Sequence, residues 1–432
     1  MNAIASRSDA LPRRDPLAWF ASGRTGLDRA LFVIAAGMVA LSFSNAAWQS
    51  LHALGWILLA ATMARRGSWL VPGPARWAIP WAAFAGWSAL AALLGPHPGQ
   101  ALLDAKKLLN LLAIFLLAAV LRTSRDYRRV AAALFAVMAV QAGVGIVQYV
   151  RAADHIAFRA HGTLSHHMTF SGMLLVTAAL GLGLLTFRAR AADLLTAGAL
   201  LVCVVALLAT LTRSAWIGLT VALAWIVASK NPKWLLALPA ALGVLFLVAP
   251  ELRHRAASIL DTRGDYSNVQ RMSMYPTGWR MVRANPWFGL GGRRQVQEDY
   301  PAYEGPPPVP PPAVPGGPPP EPYEPPDHLH NNPLQIAAES GLPALLAWLA
   351  ALAVYFGQVA RALVPRREVR TEDERLRRNL ILGSAGGVAA FLTMGLLEYN
   401  FGDSEVALLF AFLLSIPFAL AAPDPAEGAA LA

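Results

Sequence analysis

Residues 191–229 read AADLLTAGALLVCVVALLATLTRSAWIGLTVALAWIVAS, two apolar runs joined by a short polar turn that contains Arg213. Each run approaches the roughly 20 residues that an α-helix needs to cross about 30 Å of hydrocarbon. The stretch therefore predicts two membrane-spanning helices with an arginine held at the membrane surface between them.

Similar apolar runs recur along the whole chain, which is 56 % hydrophobic and 14 % charged over 432 residues. A soluble core of this length could not hide so much apolar surface. We predict an all-α integral membrane protein with about twelve transmembrane helices. The predicted spans are residues 29–47, 49–64, 77–95, 107–121, 130–150, 167–187, 191–211, 214–229, 234–250, 333–360, 380–400 and 404–421.

The positions of Lys and Arg predict the orientation, because short cytoplasmic loops collect these residues. They cluster in every second predicted loop, so the net charge of +10 reads as a topological signal and not as a nucleic-acid surface. We expect cytoplasmic tails at 1–28 and 422–432, helices one to nine within 29–250, a long outer loop at 251–331, and helices ten to twelve within 332–421. The N-terminal tail has no apolar region followed by a cleavage site, so the first helix is expected to be the insertion signal.

The long outer loop is basic in its first half and acidic in its second, and a proline-rich spacer occupies 305–326. Its basic half predicts an amphipathic helix beside Arg271 and Arg280, with a kink or a fresh start at Pro276. The predicted apolar face comprises Met272, Tyr275, Trp279 and Val282. The glycines of NPWFGLGG, residues 285–292, predict a close approach of the backbone to another surface.

Basic residues on the outer side need a reason beyond topology. Lys107 and Arg159 are among them, and anchoring a helix end at lipid headgroups would explain either one alone. Arg213 is different because its tight turn fixes the guanidinium at headgroup depth. A guanidinium presents several donors in a rigid fork suited to phosphate oxygens, so Arg213 is predicted to clamp a lipid phosphate or diphosphate.

His330 lies just before a predicted helix at the outer surface, in a segment that begins with His328. We predict that Asn332 caps a helix starting at Pro333. A helix N-terminus disfavours a protonated imidazole and favours bound phosphate, so His330 suits a general base that takes a proton from a sugar hydroxyl. His328 is the weaker candidate, and a surface histidine that only hydrogen-bonds the loop is the structural alternative.

Glu339, within the same predicted helix, is expected to face the bundle and to pair with an outer cation. On the outer side no Asp-x-Asp motif or His/Cys cluster has metal-ligand spacing, so no metal is predicted. The sequence also has no phosphate-binding G-x-x-x-x-G-K-[ST] loop. We therefore predict neither a cofactor nor ATP as the energy source.

Three segments resemble the O-antigen ligase and polymerase superfamily, whose shared region is often called Wzy_C. They are 211–219 (LTRSAWIGL), 271–291 (RMSMYPTGWRMVRANPWFGLG) and 330–341 (HNNPLQIAAESG). The first is similar to the family's Ser/Thr-Arg turn. The second is similar to its Arg, aromatic and Pro-x-x-Gly-x-Gly succession, and the third to its His-Asn, Leu-Gln, Glu-x-Gly helix start. The order and spacing of the three make the likeness fairly specific, although the proline-rich insertion departs from the family pattern.

The resemblance implies a GT-C-like glycosyltransferase of the bacterial inner membrane with a periplasmic active site. Its donor would be O-antigen on undecaprenyl diphosphate, and its acceptor would be lipid A-core. Membrane lipids would surround the protein. By the match of motifs, the predicted catalytic residues are His330, Arg213 and Arg271. The predicted substrate-binding residues are Arg159, Arg280, Tyr275, His328, Lys107 and Glu339.

Two alternatives remain open on the sequence. An O-antigen polymerase would use the same donor and extend one lipid-linked glycan with another. A flippase for lipid-linked sugars would need charges that line a path through the membrane. The cations of this chain instead fall at outer helix ends and in the outer loop, which favours a transferase.

Overall fold

The computed structural model describes residues 25–66, 77–95, 98–153, 158–185, 191–236, 243, 250–259, 261, 265–305, 326–363 and 371–420. The regular elements in this part of the chain are all helical. The proline-rich residues 306–325 and most of the predicted span 234–250 lie outside the described residues, as do the segments 1–24 and 421–432 of the two predicted tails.

The α-helices are α1 (Gly26–Ala40), α2 (Asn45–Arg66), α3 (Ala78–Leu94), α4 (Pro98–Ala105), α5 (Leu112–Val120), α6 (Ser124–Arg151), α7 (His167–Leu184), α8 (Ala191–Ala209), α9 (Arg213–Lys230), α10 (Pro250–Ala257), α11 (Tyr266–Ala284), α12 (Arg293–Glu298), α13 (Tyr300–Tyr303), α14 (Asn332–Leu363), α15 (Glu372–Met394) and α16 (Ser404–Leu420). Short 3₁₀ helices cover Lys106–Leu111, Pro232–Leu236 and Asn400–Gly402.

Three described helices, α6, α7 and α14, are long and apolar enough to cross a membrane. Shorter apolar helices cover Ala78–Leu94, Lys107–Val120, Asp193–Ala209 and Ser404–Leu420. The fold is therefore that of an all-helical membrane protein, but the predicted number of twelve spans is not confirmed.

Small residues bring α7 and α15 into close contact. A Cβ added at Gly183 would collide with the backbone of Gly383, and one added at Gly383 would meet the carbonyl of Leu180 at 2.8 Å. Close packing of this kind is typical of glycine-rich membrane helices. It fixes α15, whose C-terminal end leads into the segment 395–402 beside the outer loop.

The outer loop is docked on a break in α14. Gly341 interrupts this helix with a φ of 82°. Carbonyls freed before the break accept hydrogen bonds from the loop, and Leu342 N, just after the break, donates to Pro286 O at 2.8 Å. Leu290 N donates to Ala338 O at 2.8 Å and Gly291 N donates to Glu339 O at 2.9 Å. The backbone of Gly289, at a φ of 57°, lies so close to α14 that an added Cβ would meet Ala338 O at 2.5 Å. The glycine-rich segment thus makes the close approach that its sequence predicts.

Helix α11 runs through Pro276 as one helix, without the fresh start that the sequence suggests. Of its predicted apolar face, Val282 is buried within the protein, whereas Met272 and Trp279 are 49 % and 47 % exposed. The buried face instead carries Met274, Thr277, Met281 and Val282. The reason is steric, since Gly278 lies on this face and a Cβ there would meet Leu329 at 2.7 Å, so the closest approach to the next segment is on this side.

Replacement of Gly341 by alanine tests the docking of the loop. An added Cβ would collide with the carbonyl of Trp287 and would sit on a backbone with positive φ, so we expect Gly341→Ala to reduce the free energy of unfolding by roughly 2–4 kcal/mol. The measurement is thermal unfolding in detergent. Gly357→Ala in the same helix is the control, because a Cβ there meets no atom within 4 Å and alanine favours the helix by about 1 kcal/mol. Equal melting temperatures for the two variants would contradict the docking.

Candidate active site

His330 is held in a strained conformation just before α14. Its φ is 46°, and among the described non-glycine residues the other positive φ is that of Leu211, two residues before Arg213. Such conformations cost of order 1–3 kcal/mol and persist where the surroundings fix them, often at functional sites. One strained position is therefore a predicted catalytic residue, and the other lies two residues before Arg213.

The start of α14 is capped by Asn331 and not by Asn332. The side-chain oxygen of Asn331 accepts a hydrogen bond from Leu334 N at 2.8 Å, which is the bond an N-cap residue makes to the third helical residue. Asn332 is buried and turns the other way, where its side chain donates to Asn400 Oδ1 at 2.7 Å. The predicted cap is thus wrong by one residue, because Asn332 is used to tie the helix start to the segment that follows α15.

That segment supplies Glu398, which was not among the predicted site residues. Its carboxylate is 3 % exposed, and Oε1 lies 2.8 Å from His330 Nδ1 and 3.1 Å from His328 Nε2. Its second oxygen, Oε2, lies 3.7 Å from an Nη of Arg271. The sequence signal for Glu398 is an acidic residue inside the apolar run 380–400, the same kind of signal that singles out Glu339.

Glu398 is ionised at neutral pH. Burial by itself would raise the pKa of this carboxyl, but His330 and His328 outweigh that cost and hold the pKa well below its usual range. Burial also lowers the pKa of His328, so its ring is neutral and donates from Nε2. Because an ionised carboxylate only accepts hydrogen bonds, His330 must donate from Nδ1. In the neutral form of the ring this leaves His330 Nε2 as the acceptor nitrogen, as a general base requires.

Positive charge gathers beside this pair. Burial, together with the charges of Arg159 and Arg213, lowers the pKa of Arg255 to about 10, and Arg271 contributes to the same shift. Burial and the charges of Arg213 and Arg271 likewise lower the pKa of Arg159. Mutual repulsion of this kind means that the four guanidinium groups share one region. We call them the arginine cluster, defined as Arg159, Arg213, Arg255 and Arg271.

The members of the arginine cluster differ in how fully they are hydrogen-bonded. Arg213 is 6 % exposed, and its two terminal nitrogens donate to Asp265 at 2.7 and 3.0 Å, to Ser258 Oγ at 2.7 Å and to Ser267 Oγ at 2.5 Å. Burial would raise the pKa of Asp265, but the hydrogen bonds from Arg213 and Ser267 outweigh it and lower the pKa. A direct phosphate clamp by Arg213 stays a prediction. Its observed contacts are those of a residue that anchors the loop before α11.

Arg271 and Arg159 are less saturated. The Nε of Arg271 is buried and has no hydrogen-bond partner among the described residues. The Nη1 of Arg159 lies 2.8 Å from His167 Nε2. Since buried donors are nearly always paired in folded proteins, a free Nε beside a cationic cluster is a place for an anionic ligand.

The structure distributes the other predicted binding residues over three places. His328 shares Glu398 with His330, and the hydroxyl of Tyr275 donates to Leu396 O at 3.2 Å beside them. Arg280 is turned away, and its Nε donates to Tyr303 O at 2.6 Å within the loop. Lys107 and Glu339 line a separate cavity described below.

Glu339 does not form the predicted ion pair among the described residues. Its carboxylate instead accepts hydrogen bonds from Gln335 Nε2 at 2.7 Å and from the Tyr399 hydroxyl at 3.0 Å. Glu339 is half-buried, and neutral donors on its own helix and on the facing segment hydrogen-bond its carboxylate in place of a cation.

A metal ion could in principle be held by His328, His330 and Glu398, whose ligating atoms lie within 4.8 Å of one another. Sequence spacing did not show this group, because the fold joins residues 68 and 70 positions apart. The same atoms already satisfy each other by hydrogen bonds, and the adjacent arginine cluster disfavours a dication. The arrangement therefore fits a hydrogen-bonded acid–base pair better than a metal centre.

Comparison with known proteins gives one family. Residues 198–349 match the model described as Wzy_C: O-Antigen ligase, and the matched region includes Arg213, Arg271 and His330. No curated protein matches the chain. The resemblance seen in the three sequence segments is thereby confirmed, and the match supports membership of this chain in the O-antigen ligase superfamily.

Proposed function

We propose that the protein is an O-antigen ligase, which transfers a preassembled glycan from undecaprenyl diphosphate to a sugar hydroxyl of lipid A-core on the periplasmic face of the inner membrane. The observation that carries the proposal is the 2.8 Å contact between His330 Nδ1 and the buried Glu398 carboxylate, next to the arginine cluster. The His330–Glu398 pair supplies a base for an acceptor hydroxyl, and the arginine cluster supplies positive charge for a diphosphate leaving group.

The reaction is an inverting displacement at the anomeric carbon of the donor. The acceptor oxygen forms a bond to this carbon while its proton passes to His330 Nε2. The bond from the anomeric carbon to the diphosphate oxygen breaks, and its electron pair leaves with undecaprenyl diphosphate. Glu398 stabilises the imidazolium that forms, in the way that a buried carboxylate orients and stabilises a catalytic histidine elsewhere.

The leaving diphosphate is bound by Arg271, Arg159 and Arg255. Arg271 offers a buried Nε without a partner among the described residues, and it also lies beside Glu398, so it connects the leaving group to the base. In this proposal Arg213 is a positioning residue: through Asp265 and Ser267 it holds the start of α11, on which Arg271 lies.

Reconstitution with purified substrates tests the activity. In proteoliposomes with lipid-linked O-antigen, lipid A-core and a chelator, and without nucleotide, the wild-type protein should convert lipid A-core into a species larger by one O-antigen chain, as seen by gel electrophoresis. His330→Ala should abolish this conversion, because no other ring nitrogen occupies the same position. Growth of the lipid-linked donor alone would assign the chain to polymerases and contradict the proposal.

Replacement of Glu398 by glutamine tests the carboxylate. The amide can still hydrogen-bond His330, but it cannot stabilise an imidazolium, so the turnover number should fall about 100-fold or more while the Kd for undecaprenyl diphosphate stays within about twofold. The measurements are initial transfer rates and binding of a fluorescent donor analogue. Glu405→Gln is the matched control, because that side chain contacts Asn45 and not the histidines. Unchanged turnover in Glu398→Gln would remove the carboxylate from the mechanism.

Replacement of Arg271 by glutamine tests the binding of the diphosphate. Loss of a charge-assisted hydrogen bond should weaken donor binding about 10- to 100-fold. The control is Arg283→Gln on the same helix, because Arg283 is exposed and stacks over Trp279 at 5.4 Å. Both variants are compared by equilibrium binding of the fluorescent donor analogue. Equal affinities would show that Arg271 does not contact the donor.

A further inference from the structure

A partly open cavity lies between α3, α4, α14 and α16 and is covered on one side by the start of α12. Its charged residues are Asp104, Lys107, Arg293 and Glu339, and the hydroxyl-bearing Tyr399 is among its other polar residues. No member of the arginine cluster lines it. The cavity is therefore a second charged compartment of the outer side, and the proposed chemistry of the leaving group does not use it.

The cavity adjoins the His330–Glu398 pair through a single residue. Tyr399 lines the cavity, and its ring lies 5.6 Å from the ring of His328 between centroids. Glu398, the neighbouring residue in sequence, faces the two histidines. Glu398 and Tyr399 are consecutive residues, so the His330–Glu398 pair and the cavity lie on two sides of one backbone segment.

The cations of the cavity are available to a ligand, whereas its carboxylates are engaged. Asp104 accepts a hydrogen bond from Arg294 N at 3.1 Å, and Glu339 accepts from Gln335 and Tyr399. Neither Lys107 nor Arg293 forms an ion pair within 4 Å in the described part of the chain, although the charges of both act on the Glu339 carboxylate. The guanidinium carbon of Arg293 lies 6.0 Å from the centre of the Tyr399 ring. Two cations that line one cavity without an ion pair favour an anionic ligand there.

The remaining walls suit a sugar. Phe84 and Phe401 present aromatic surface to the cavity, and Ser340 and Glu339 present hydrogen-bonding groups on α14. Saccharides combine apolar ring faces with hydroxyls that donate and accept, so aromatic and carboxylate walls complement them. Together with the cations, these walls select a saccharide that also bears phosphate.

We infer that this cavity is the acceptor subsite and that it binds a phosphorylated saccharide, with the phosphate between Lys107 and Arg293. The inference rests on the proposed function and adds to it that donor and acceptor occupy separate charged compartments on the two sides of the His330–Glu398 pair. The acceptor hydroxyl would reach His330 Nε2 past the edge of the Tyr399 ring.

Kinetics with two acceptors test the inference. Lys107→Gln and Arg293→Gln should each raise the KM for lipid A-core about tenfold and leave the Kd for the fluorescent donor analogue unchanged, since one charge-assisted contact to the acceptor is lost. Enzymatic dephosphorylation of lipid A-core should raise the wild-type KM at least to the level of either single variant, because both contacts are lost, and it should cause no further rise in the Lys107→Gln/Arg293→Gln double variant. Lys107→Arg keeps the charge and should restore the wild-type KM.

Arg294→Gln is the matched control, because it removes the same charge one position away. The side chain of Arg294 pairs with Glu298 at 2.7 Å and is 61 % exposed. The KM values of Arg294→Gln for native and for dephosphorylated lipid A-core should therefore equal those of the wild type. Weaker donor binding with an unchanged acceptor KM would assign the cavity to the donor and overturn the inference. A wild-type enzyme indifferent to dephosphorylation would overturn it as well.

Equilibrium binding of lipid A-core, measured by thermophoresis without donor, separates the two proposals. Loss of this binding in Lys107→Gln and Arg293→Gln supports the subsite even if no transfer is observed, in which case only the proposed function fails. Normal transfer with equal lipid A-core affinities in all variants leaves the proposed function intact and removes the subsite.

Discussion

The site depends on one buried carboxylate. Glu398 is almost inaccessible to water, and an isolated charge there would be expensive. It is stable as an anion because His330, His328 and Arg271 surround it, and in return it fixes the tautomer of His330 and keeps Arg271 beside the proposed reaction centre. Removal of any one partner would leave a buried charge with too few contacts.

The fold serves this carboxylate by joining three separate parts of the chain. The broken helix α14 accepts backbone hydrogen bonds from the loop at residues 290 and 291, and its first residue is tied to Asn400. Close packing of α15 on α7 positions the helix that precedes Glu398. Two backbone features, the break in α14 at Gly341 and the glycine contact between α7 and α15, thus contribute to bringing His330 and Glu398 together.

Sequence reasoning succeeded where a local rule applied. The tight turn at Arg213, the close approach of the glycine-rich segment and the position of His330 before a helix all follow from short-range patterns. Short-range patterns do not predict which side chain a distant segment will bind or which face of a helix it will bury. Asn332 is drawn to Asn400, so Asn331 becomes the cap, and α11 buries the side of Gly278, so Trp279 stays exposed.

The sequence by itself determined the helical membrane class, the resemblance to the O-antigen ligase superfamily and the prediction of Arg213, Arg271 and His330 as site residues, because hydropathy, charge alternation and short motifs are written in consecutive residues. Only the tertiary structure decided that Glu398 is the partner of His330, that Arg213 is saturated by the loop, and that Lys107, Arg293 and Glu339 share a cavity. These contacts join residues far apart in the chain, and their energies arise from burial and from neighbouring charges, which a linear pattern does not contain.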